Sequence, residues 1–156
     1  MKIYSAEIQN LPYDELGTLF FNYYSELQRM NAPHTLAEKG EKMWVESVKK
    51  SLGKTSVLIL VKDDKDELVG FGFGQLKLGP DYLGNKRVGT VAHFYIKEAF
   101  RGKKISHEIF QKMKKWFLEK KAESIELEVI QENEIALAFW QKMGFQTELK
   151  QLRMKL

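Results

Sequence analysis

The sequence contains no cysteine and has only three prolines and three histidines in 156 residues. Without cysteine, the chain has no disulfide bond, no thiolate ligand for a metal and no cysteine nucleophile. Its longest apolar runs, residues 57–61 and 135–140, are far too short to cross a bilayer, and its N-terminal stretch lacks the apolar core of a secretory signal. We therefore expect a cytoplasmic enzyme or binding protein with no membrane partner and no metal site.

The composition is typical of one globular domain. Hydrophobic residues make up 44% and charged residues 29% of the chain, the usual mixture for a protein with a packed core. No repeat, linker or low-complexity tract interrupts the 156 residues, which are enough for one ordinary domain.

Positive charge is concentrated in one segment. Between Lys97 and Lys121 the chain has nine Lys or Arg and three Glu, a net charge of +6, so the remainder carries −2 of the total of +4. This asymmetry indicates an anionic partner, either a phosphate-bearing cofactor or a nucleic acid. The five lysines between residues 112 and 121 are also explained as the solvated face of one helix, and for these we prefer that interpretation: Lys112, Lys114, Lys115, Lys120 and Lys121.

Apolar periodicity predicts the element order β-α-α-β-β-β-α-β-α-β. Strands are expected over residues 2–8, 55–61, 67–78, 87–96, 124–130 and 147–155. Helices are expected from Pro12 to Pro33, from a capping box of Thr35 and Glu38 to Gly53, over residues 105–117 and over residues 134–143. Antiparallel strands that lead into a β-α-β crossover predict an α/β (α+β) fold, with a mixed, mostly antiparallel central sheet and helices on both faces.

Glycine recurs at alternate positions of the strand predicted over residues 67–78. Alternation places Leu68 on one face with the glycines at 70, 72 and 74, and places Val69 on the other face with Phe71 and Phe73. Because glycine has no side chain, the first face is expected to admit a closely packed backbone, helix or ligand.

The segment AFRGKKISH, residues 99–107, joins a predicted strand directly to a predicted helix. A helix that begins there leaves its first N–H groups without partners, and together with the helix dipole they attract an anion. The turn has one glycine, but we expect the negative φ angles of a helix N-terminus, which Lys104 and Ser106 tolerate. Arg101, Lys103 and Lys104 add positive charge, and Ser106 adds a hydroxyl group.

Two motifs lie in this half of the chain. The first is Arg101-Gly102-Lys103-Lys104-Ile105-Ser106, and the second comprises Asn133, Ala136, Phe139-Trp140 and Gly144-Phe145. Together they resemble the GNAT superfamily of acyl-CoA-dependent N-acetyltransferases. The similarity covers most of the chain and is weakest over residues 1–86. It implies a single GNAT-like N-acetyltransferase domain over residues 1–156, with acetyl-CoA (coenzyme A) as cosubstrate, an amine as acceptor and no metal.

The resemblance also implies roles for individual residues. The main chain near Phe94 and Ile96 would bind the pantetheine arm as an added strand, and Asn133 would contact the cofactor from the start of the last helix. The strands over residues 87–96 and 124–130 would diverge to admit the thioester. The pyrophosphate would bind the N–H groups of Arg101, Gly102, Lys103, Lys104, Ile105 and Ser106.

The chain departs from the family pattern at three positions. Lys104 replaces a common glycine and Ser106 replaces glycine or alanine; backbone contacts survive both changes, and Lys104 adds a charge-assisted partner. Trp140 occupies a position where many relatives have a tyrosine that protonates the departing thiolate, and an indole N–H is no useful acid. Trp140 is therefore interpreted either as part of the thioester pocket or as a core aromatic residue.

No strong general base is evident. Relatives often have one at the positions that are Thr90 and Ala92 in this chain, and neither side chain can accept a proton at neutral pH. Glu128, acting through water from the diverging strands, is the candidate base, and Trp140 completes the pair of candidate catalytic residues.

The acceptor pocket is expected between the first two helices, the loop over residues 79–86 and the diverging strands. Strand alternation places His93 on the face of Val91 and Tyr95, so His93 is predicted to be structural. The candidate lining residues are Tyr23, Tyr24, His34, Trp44 and Tyr82.

The leading interpretation is transfer of the acetyl group of acetyl-CoA to a primary amine, by direct attack in a ternary complex. The alternative is a non-catalytic acyl-CoA-binding protein of the same fold, which the residues at positions 90, 92 and 140 favour. A nucleic-acid-binding domain that uses the basic helix is a distant alternative, since no stacking motif or recognition-helix pattern accompanies it. The predicted final strand is a candidate surface for the formation of a homodimer.

Overall fold

Five strands form one sheet, and the computed structural model describes residues 1–102 and 104–156. The strands are β1 (Lys2–Ser5), β2 (Ser56–Lys62), β3 (Leu68–Leu78), β4 (Arg87–Ile96) and β5 (Ser124–Leu127). They lie in the order β1-β2-β3-β4-β5; the first three pairings are antiparallel, and β4 pairs with β5 in parallel. The predicted mixed, mostly antiparallel sheet is confirmed.

Helices cover both faces of the sheet, as the sequence predicted. They are α1 (Tyr13–Arg29), α2 (Gly40–Ser51), α3 (Ile105–Glu119) and α4 (Glu134–Lys142). Helices α1 and α2 pack on one face around Phe20 and Val48, and α3 and α4 pack on the other around Ile109 and Phe117. Each fully buried side chain of this size contributes about 1.5–3 kcal/mol to folding, so both faces contribute to the core.

Helix α3 packs directly on β3 because β3 has glycine where other strands have side chains. A β-carbon on Gly72 would lie 2.5 Å from Ile109 Cγ2 and 2.7 Å from Met113 Sδ. The helix therefore fills the space that a side chain would take. Of the neighbours expected at the glycine face, a backbone, a helix or a ligand, the structure has a helix, α3.

A β-bulge in β3 reverses the predicted faces of two residues. Two consecutive residues of β2 pair with Leu68 and Gly70. Val69, between them, has no partner in β2 and is the extra residue of the bulge. Val69 therefore joins the glycines on the α3 face, and Leu68 packs with α1 and α2. The alternation predicted for these two residues was wrong because one inserted residue changes the phase of the strand.

Helix α2 begins later than predicted, at Gly40, and the expected capping box of Thr35 and Glu38 does not form. No side chain caps the helix, and the preceding Lys39 has a left-handed φ of 56°. A β-carbon on Gly40 would lie 2.8 Å from Leu36 Cδ1, so Leu36 folds back on the helix start instead of continuing the helix. Two other elements also end early, β1 at residue 5 and α1 at residue 29.

The last two predicted strands differ most from the structure. β5 ends at Leu127 instead of residue 130, and residues 147–155 form no strand. Leu149, Leu152 and Met154 are 88%, 91% and 83% exposed. Alternation gives a strand only where a neighbour satisfies the main-chain hydrogen bonds, and none of the described residues pairs with this segment.

Candidate functional site

The parallel strands β4 and β5 separate part-way along β4. Their pairing extends from Val88 to Val91 of β4 and then stops. The next residue, Ala92, is a bulge, since Val91 and His93 face consecutive residues of β3. Because a bulge bends its strand, β4 leaves β5 here and its remaining edge is open, which fits the expected divergence of the two strands.

The main chain of Phe94 and Ile96 points toward this open edge. The Lys97 N–H donates to a β3 carbonyl at 2.9 Å, and the main-chain groups of an antiparallel strand alternate in direction. Residues 94 and 96 therefore face away from β3, toward the side where an added strand would bind. The Ile96 carbonyl already accepts a hydrogen bond from Arg101 Nε at 2.8 Å, which leaves the Ile96 N–H and both groups of Phe94.

Helix α3 begins with three main-chain N–H groups that have no partner among the described residues. Its first helical hydrogen bond runs from the Glu108 N–H to the Lys104 carbonyl at 3.1 Å, and no side chain caps the helix. The N–H groups of Ile105, Ser106 and His107 therefore have no acceptor among the described residues, and they lie at the positive end of the helix dipole. An anion would satisfy them. Lys103, which the sequence places in the same site, lies outside the described residues.

The backbone of this turn differs from the expected one. Gly102 and Lys104 have left-handed φ angles of 79° and 61°, so the negative φ expected at Lys104 was wrong. Glycine adopts such an angle freely, whereas in other residues the clash of the β-carbon costs about 1–2 kcal/mol. Lys104 therefore places its charge at the helix N-terminus and destabilises the turn.

Replacing Lys104 with glycine should separate these two effects. We expect the free energy of unfolding to rise by about 0.5–1 kcal/mol as the backbone strain is relieved, and the affinity for acetyl-CoA to fall by about threefold as one positive charge is lost. Urea unfolding and calorimetric titration measure the two quantities. Lys121, with a φ of 60° near the other end of α3, is the matched control: Lys121→Gly should gain stability without loss of affinity. A Lys104→Gly variant that is less stable than the unmodified protein would contradict the claim that the backbone of Lys104 is strained.

The Arg101 side chain points back to α1 instead of outward from the turn. Its Nη2 lies 2.6 Å from Glu26 Oε2, and its Nε donates to the Ile96 carbonyl. The Tyr95 hydroxyl donates to the other Glu26 oxygen at 2.9 Å, while the Arg101 N–H donates to the Glu98 carbonyl at 3.1 Å. Both the side chain and the N–H of Arg101 are thus engaged within the protein.

Asn133 caps α4. Its Oδ1 accepts a hydrogen bond from the Ala136 N–H at 3.1 Å, as an N-cap side chain does. The side-chain NH₂ group makes no hydrogen bond with the described residues. The contact expected between Asn133 and the cofactor stays a prediction, and it would use this NH₂ group.

The two candidate catalytic side chains lie in different surroundings. Trp140 is only 6% exposed, and its ring packs edge-on against Phe94, Phe110 and Phe145 with centroids 5.1–5.4 Å apart. This packing supports the interpretation of Trp140 as a core residue. Glu128 is exposed immediately after β5, beyond the point where β4 and β5 separate, so it is open to water as a base would need to be.

The bulge at Ala92 also sets the direction of His93. Val91 packs on the α3 face, whereas the ring of His93 lies among residues of α1 and α2. The predicted grouping of His93 with Val91 was therefore wrong, although the grouping with Tyr95 is correct. The extra residue changes the phase of β4 just as Val69 does in β3.

His93 is half-buried in a cluster of aromatic rings. Its ring centroid lies 5.1 Å from that of Phe20 and 5.7 Å from those of Tyr23 and Trp44. Burial lowers the pKa of His93 to about 4, so the imidazole is neutral at physiological pH. Two polar atoms, Trp44 Nε1 within this cluster and Thr90 Oγ1 farther along β4, are buried with no hydrogen-bond partner among the described residues.

Only part of the expected acceptor lining comes together. Tyr23, Tyr24 and Trp44 all contact His93 through their rings. His34 is exposed, and Tyr82 in the loop between β3 and β4 is 86% exposed. The residues of the expected acceptor pocket that do come together are therefore aromatic, half-buried and on the face of the sheet that α1 and α2 cover.

We expect the protein to lose stability as the pH falls below 6.5. His93 has a pKa near 6.5 when unfolded and about 4 when folded, so between these values the unfolded state binds more protons and stability falls with falling pH. The loss between pH 7 and pH 5 should be about 1–2 kcal/mol, measured by urea unfolding. His93→Gln should reduce this pH dependence, and His107→Gln, at an exposed position, should not. An unchanged dependence in His93→Gln would contradict the assignment.

Neither a membrane span nor a metal site is found in residues 1–102 and 104–156. Their helices are all too short or too polar to cross a bilayer. No group of three or more His, Cys, Asp or Glu side chains there is arranged to hold a metal ion.

Several solved structures are similar over nearly the whole chain. A variant of the BH1408 protein from Bacillus halodurans has a TM-score of 0.82 and 18% identity, covering 100% of this chain and 99% of that chain. A ribosomal-protein-alanine N-acetyltransferase from Brucella melitensis biovar Abortus 2308 has a TM-score of 0.71 and 15% identity, covering 100% of each chain. The aminoglycoside N-acetyltransferase AAC(6')-Iy, in complex with CoA, has a TM-score of 0.78 and 11% identity, covering 99% and 93%. At these identities the likeness establishes the fold.

The sequence itself identifies the family. No curated protein sequence matches the chain. The sequence model of the Acetyltransferase (GNAT) family matches residues 18–145, a range that includes the open edge of β4 and the N-terminus of α3. The match covers most of the chain, and the protein therefore belongs to the GNAT acetyltransferase family.

Proposed function

We propose that the protein transfers the acetyl group of acetyl-CoA to a primary amine. The observation that carries the proposal is the position of two sets of unpaired main-chain groups. One set lies along the edge of β4 at residues 94 and 96, and the other lies at the N-terminus of α3. A short turn joins them, so one ligand with an amide-bearing arm and a pyrophosphate satisfies both.

The chain's own groups fit such a ligand. The N–H of Ile96 and the carbonyl of Phe94 would hold the pantetheine arm, since neither is used within the sheet on that side. The N–H groups of Ile105 and Ser106 would hold the pyrophosphate, and the Lys104 ammonium would add a charge-assisted contact. The remaining residues of the motif, Gly102 and Lys103, and the capping residue Asn133 are proposed by the resemblance alone.

Positioning is the main contribution of the protein to the reaction. Acetyl-CoA supplies a thioester that is already activated toward an amine. In the ternary complex the amine attacks the thioester carbonyl directly; the C–N bond forms, the C–S bond breaks and CoA leaves as the thiolate. The N–H of Phe94, next to Ile96 along the open edge, would polarise the carbonyl oxygen, and Glu128 would take the proton of the amine through water.

The side chain at position 140 is a tryptophan, which would not protonate the departing thiolate. Because a thiol has a pKa near ~8.5, the thiolate is an acceptable leaving group at neutral pH and water can protonate it. Trp140 instead packs against Phe94 and would fix the shape of the strand edge that holds the thioester.

A non-catalytic acyl-CoA-binding protein is the second candidate. It is favoured by the burial of Trp140 in the core and by the absence of a titratable side chain at Thr90 and Ala92. Both candidates bind acetyl-CoA, but only the enzyme releases CoA in the presence of an amine.

Thiol release in the presence of an amine panel tests the proposed function. The protein is incubated with acetyl-CoA and, separately, with small-molecule amines, polyamines and peptides with a free N-terminus or lysine. Free thiol and acetylated amine are both measured. Equal amounts of the two with at least one amine support the enzyme, whereas acetyl-CoA binding without release with any amine favours the second candidate.

A further inference from the structure

One carboxylate joins α1 to the turn that precedes α3. Glu26, near the C-terminal end of α1, has both of its oxygens occupied: Oε2 pairs with Arg101 Nη2 at 2.6 Å, and Oε1 accepts a hydrogen bond from the Tyr95 hydroxyl at 2.9 Å. The Glu26 side chain is only 22% exposed and the Arg101 side chain is 44% exposed. The pair is therefore partly shielded from water, unlike most surface ion pairs.

Arg101 is held at further points besides Glu26. Its Nε donates to the Ile96 carbonyl at 2.8 Å, and its guanidinium carbon lies 5.7 Å from the centre of the Tyr95 ring. The side chain thus runs from the start of the turn across the end of β4 to α1. All of these contacts direct it away from the N–H groups at the start of α3.

Packing does little to fix the described part of the turn. Gly102 has a φ of 79° with no atom within 4 Å of the place where a β-carbon would lie, and Lys104 has a strained φ of 61°. A glycine in open space has many accessible conformations, and ordering such a segment when a ligand binds lowers the affinity. A contact that fixes one end of the turn therefore raises the affinity of the ligand that binds to it.

We propose that Glu26 is a positioning residue for the cofactor: it anchors Arg101 and so holds the start of the turn, residues 101–102, and the N–H groups of α3 in their binding arrangement. The inference rests on the proposed function, because it assigns Glu26 to the same CoA site. Glu26 does not itself contact the cofactor. Arg101 is then an anchor of the turn and not a ligand of the phosphates.

The opposite role of Arg101 predicts an opposite result. If Arg101 bound the pyrophosphate through its side chain, Glu26 would compete with the phosphates for the guanidinium. Removing the Glu26 charge would then release Arg101 and tighten binding. If Glu26 anchors the turn, removing its charge weakens binding. The direction of the change therefore distinguishes the two roles.

The test is a double-mutant cycle measured by calorimetric titration with acetyl-CoA. Glu26→Gln keeps the shape of the side chain and loses its charge, and Arg101→Gln removes the anchored group. Each single variant should bind acetyl-CoA about five- to tenfold more weakly, and the double variant should bind no more weakly than either, because contacting residues are strongly coupled. Glu15→Gln, at an exposed position of the same helix, is the matched control and should bind as the unmodified protein does.

Steady-state kinetics gives a readout that a general loss of structure would not. With an active amine, Glu26→Gln should raise the KM for acetyl-CoA and leave kcat and the KM for the amine within twofold. Tighter or unchanged binding in Glu26→Gln, or additive losses in the double variant, would overturn the positioning role while the proposed function stands. Failure of the unmodified protein to bind acetyl-CoA would overturn both.

Discussion

Replacing Gly72 with alanine should lower the free energy of unfolding by about 2–3 kcal/mol, although it adds only one methyl group. The new β-carbon would lie 2.5 Å from Ile109 Cγ2 and 2.7 Å from Met113 Sδ, and both side chains are fully buried. Ile109 is β-branched and held in a helix, so it has little freedom to move away. Helix α3 would have to shift from the sheet, and its N-terminal N–H groups would shift with it. Urea unfolding gives the loss of stability, and titration with acetyl-CoA should give a loss of affinity in the folded variant.

Gly17 provides the same chemical change at a buried position that has room for the new methyl group. A β-carbon there would lie 3.8 Å from Glu41 Cγ and 3.9 Å from Val45 Cγ2, which are ordinary contact distances. Because alanine is the better helix former, Gly17→Ala should raise the free energy of unfolding by about 0.5–1 kcal/mol and leave binding unchanged. If Gly72→Ala were as stable as Gly17→Ala, the close packing of α3 on β3 would be contradicted.

Reversing the charge of Lys104 should weaken acetyl-CoA binding by about 10- to 100-fold, or roughly 1.4–2.8 kcal/mol. Lys104 immediately precedes α3, so a glutamate there would repel the pyrophosphate from the unpaired N–H groups. Glutamate bears the same left-handed φ strain as lysine, and a negative charge at a helix N-terminus is favourable to the helix itself. The variant should therefore stay folded, and thermal unfolding checks that it does.

The control for this charge reversal lies on the same helix. Lys112 is exposed on α3, about two turns from its N-terminus. Lys112→Glu changes the net charge by the same amount, so it measures the effect of overall charge alone and should weaken binding less than threefold at 0.15 M salt. Equal losses in the two variants would mean that the positive charge of the segment attracts the ligand without a defined site.

The elements around the site could be predicted because each depends on local pattern. The apolar period of α3 correctly placed Ile109 and Phe117 in the core, and β4 has the predicted bounds, Arg87–Ile96. The N–H groups of α3 could also be predicted, since the first turn of a helix leaves them without helical partners whichever side chains are present, even though a 3-10 turn over Glu98–Phe100 separates β4 from α3.

The two bulges could not be predicted from the sequence. Val69 and Ala92 are ordinary strand residues in apolar runs, and nothing in the alternation marks either as an extra residue. Yet each changes the phase of its strand, and the second both turns His93 toward α1 and separates β4 from β5. The opening of the site thus depends on a register that only the assembled sheet defines.

Contacts between residues that are distant in the sequence could not be predicted either. Glu26 and Arg101 are 75 residues apart, and the position of Arg101 in the motif favoured a phosphate contact instead. The segment over residues 147–155 has a pattern typical of a strand, but a strand also needs a neighbour, which the pattern alone does not provide. In each case the missing information was the identity of a partner in space.

The most direct test of a coenzyme A site on β4 and α3 is calorimetric titration of the protein with acetyl-CoA, desulfo-CoA and ATP. Desulfo-CoA has the pantetheine arm and the pyrophosphate without the thiol, and ATP has phosphates without the arm. We expect micromolar binding (about −8 kcal/mol) of both acetyl-CoA and desulfo-CoA, with ATP much weaker. Equal binding of ATP would show that the edge of β4 does not contribute to binding. No binding of any of the three ligands would contradict the site as a whole.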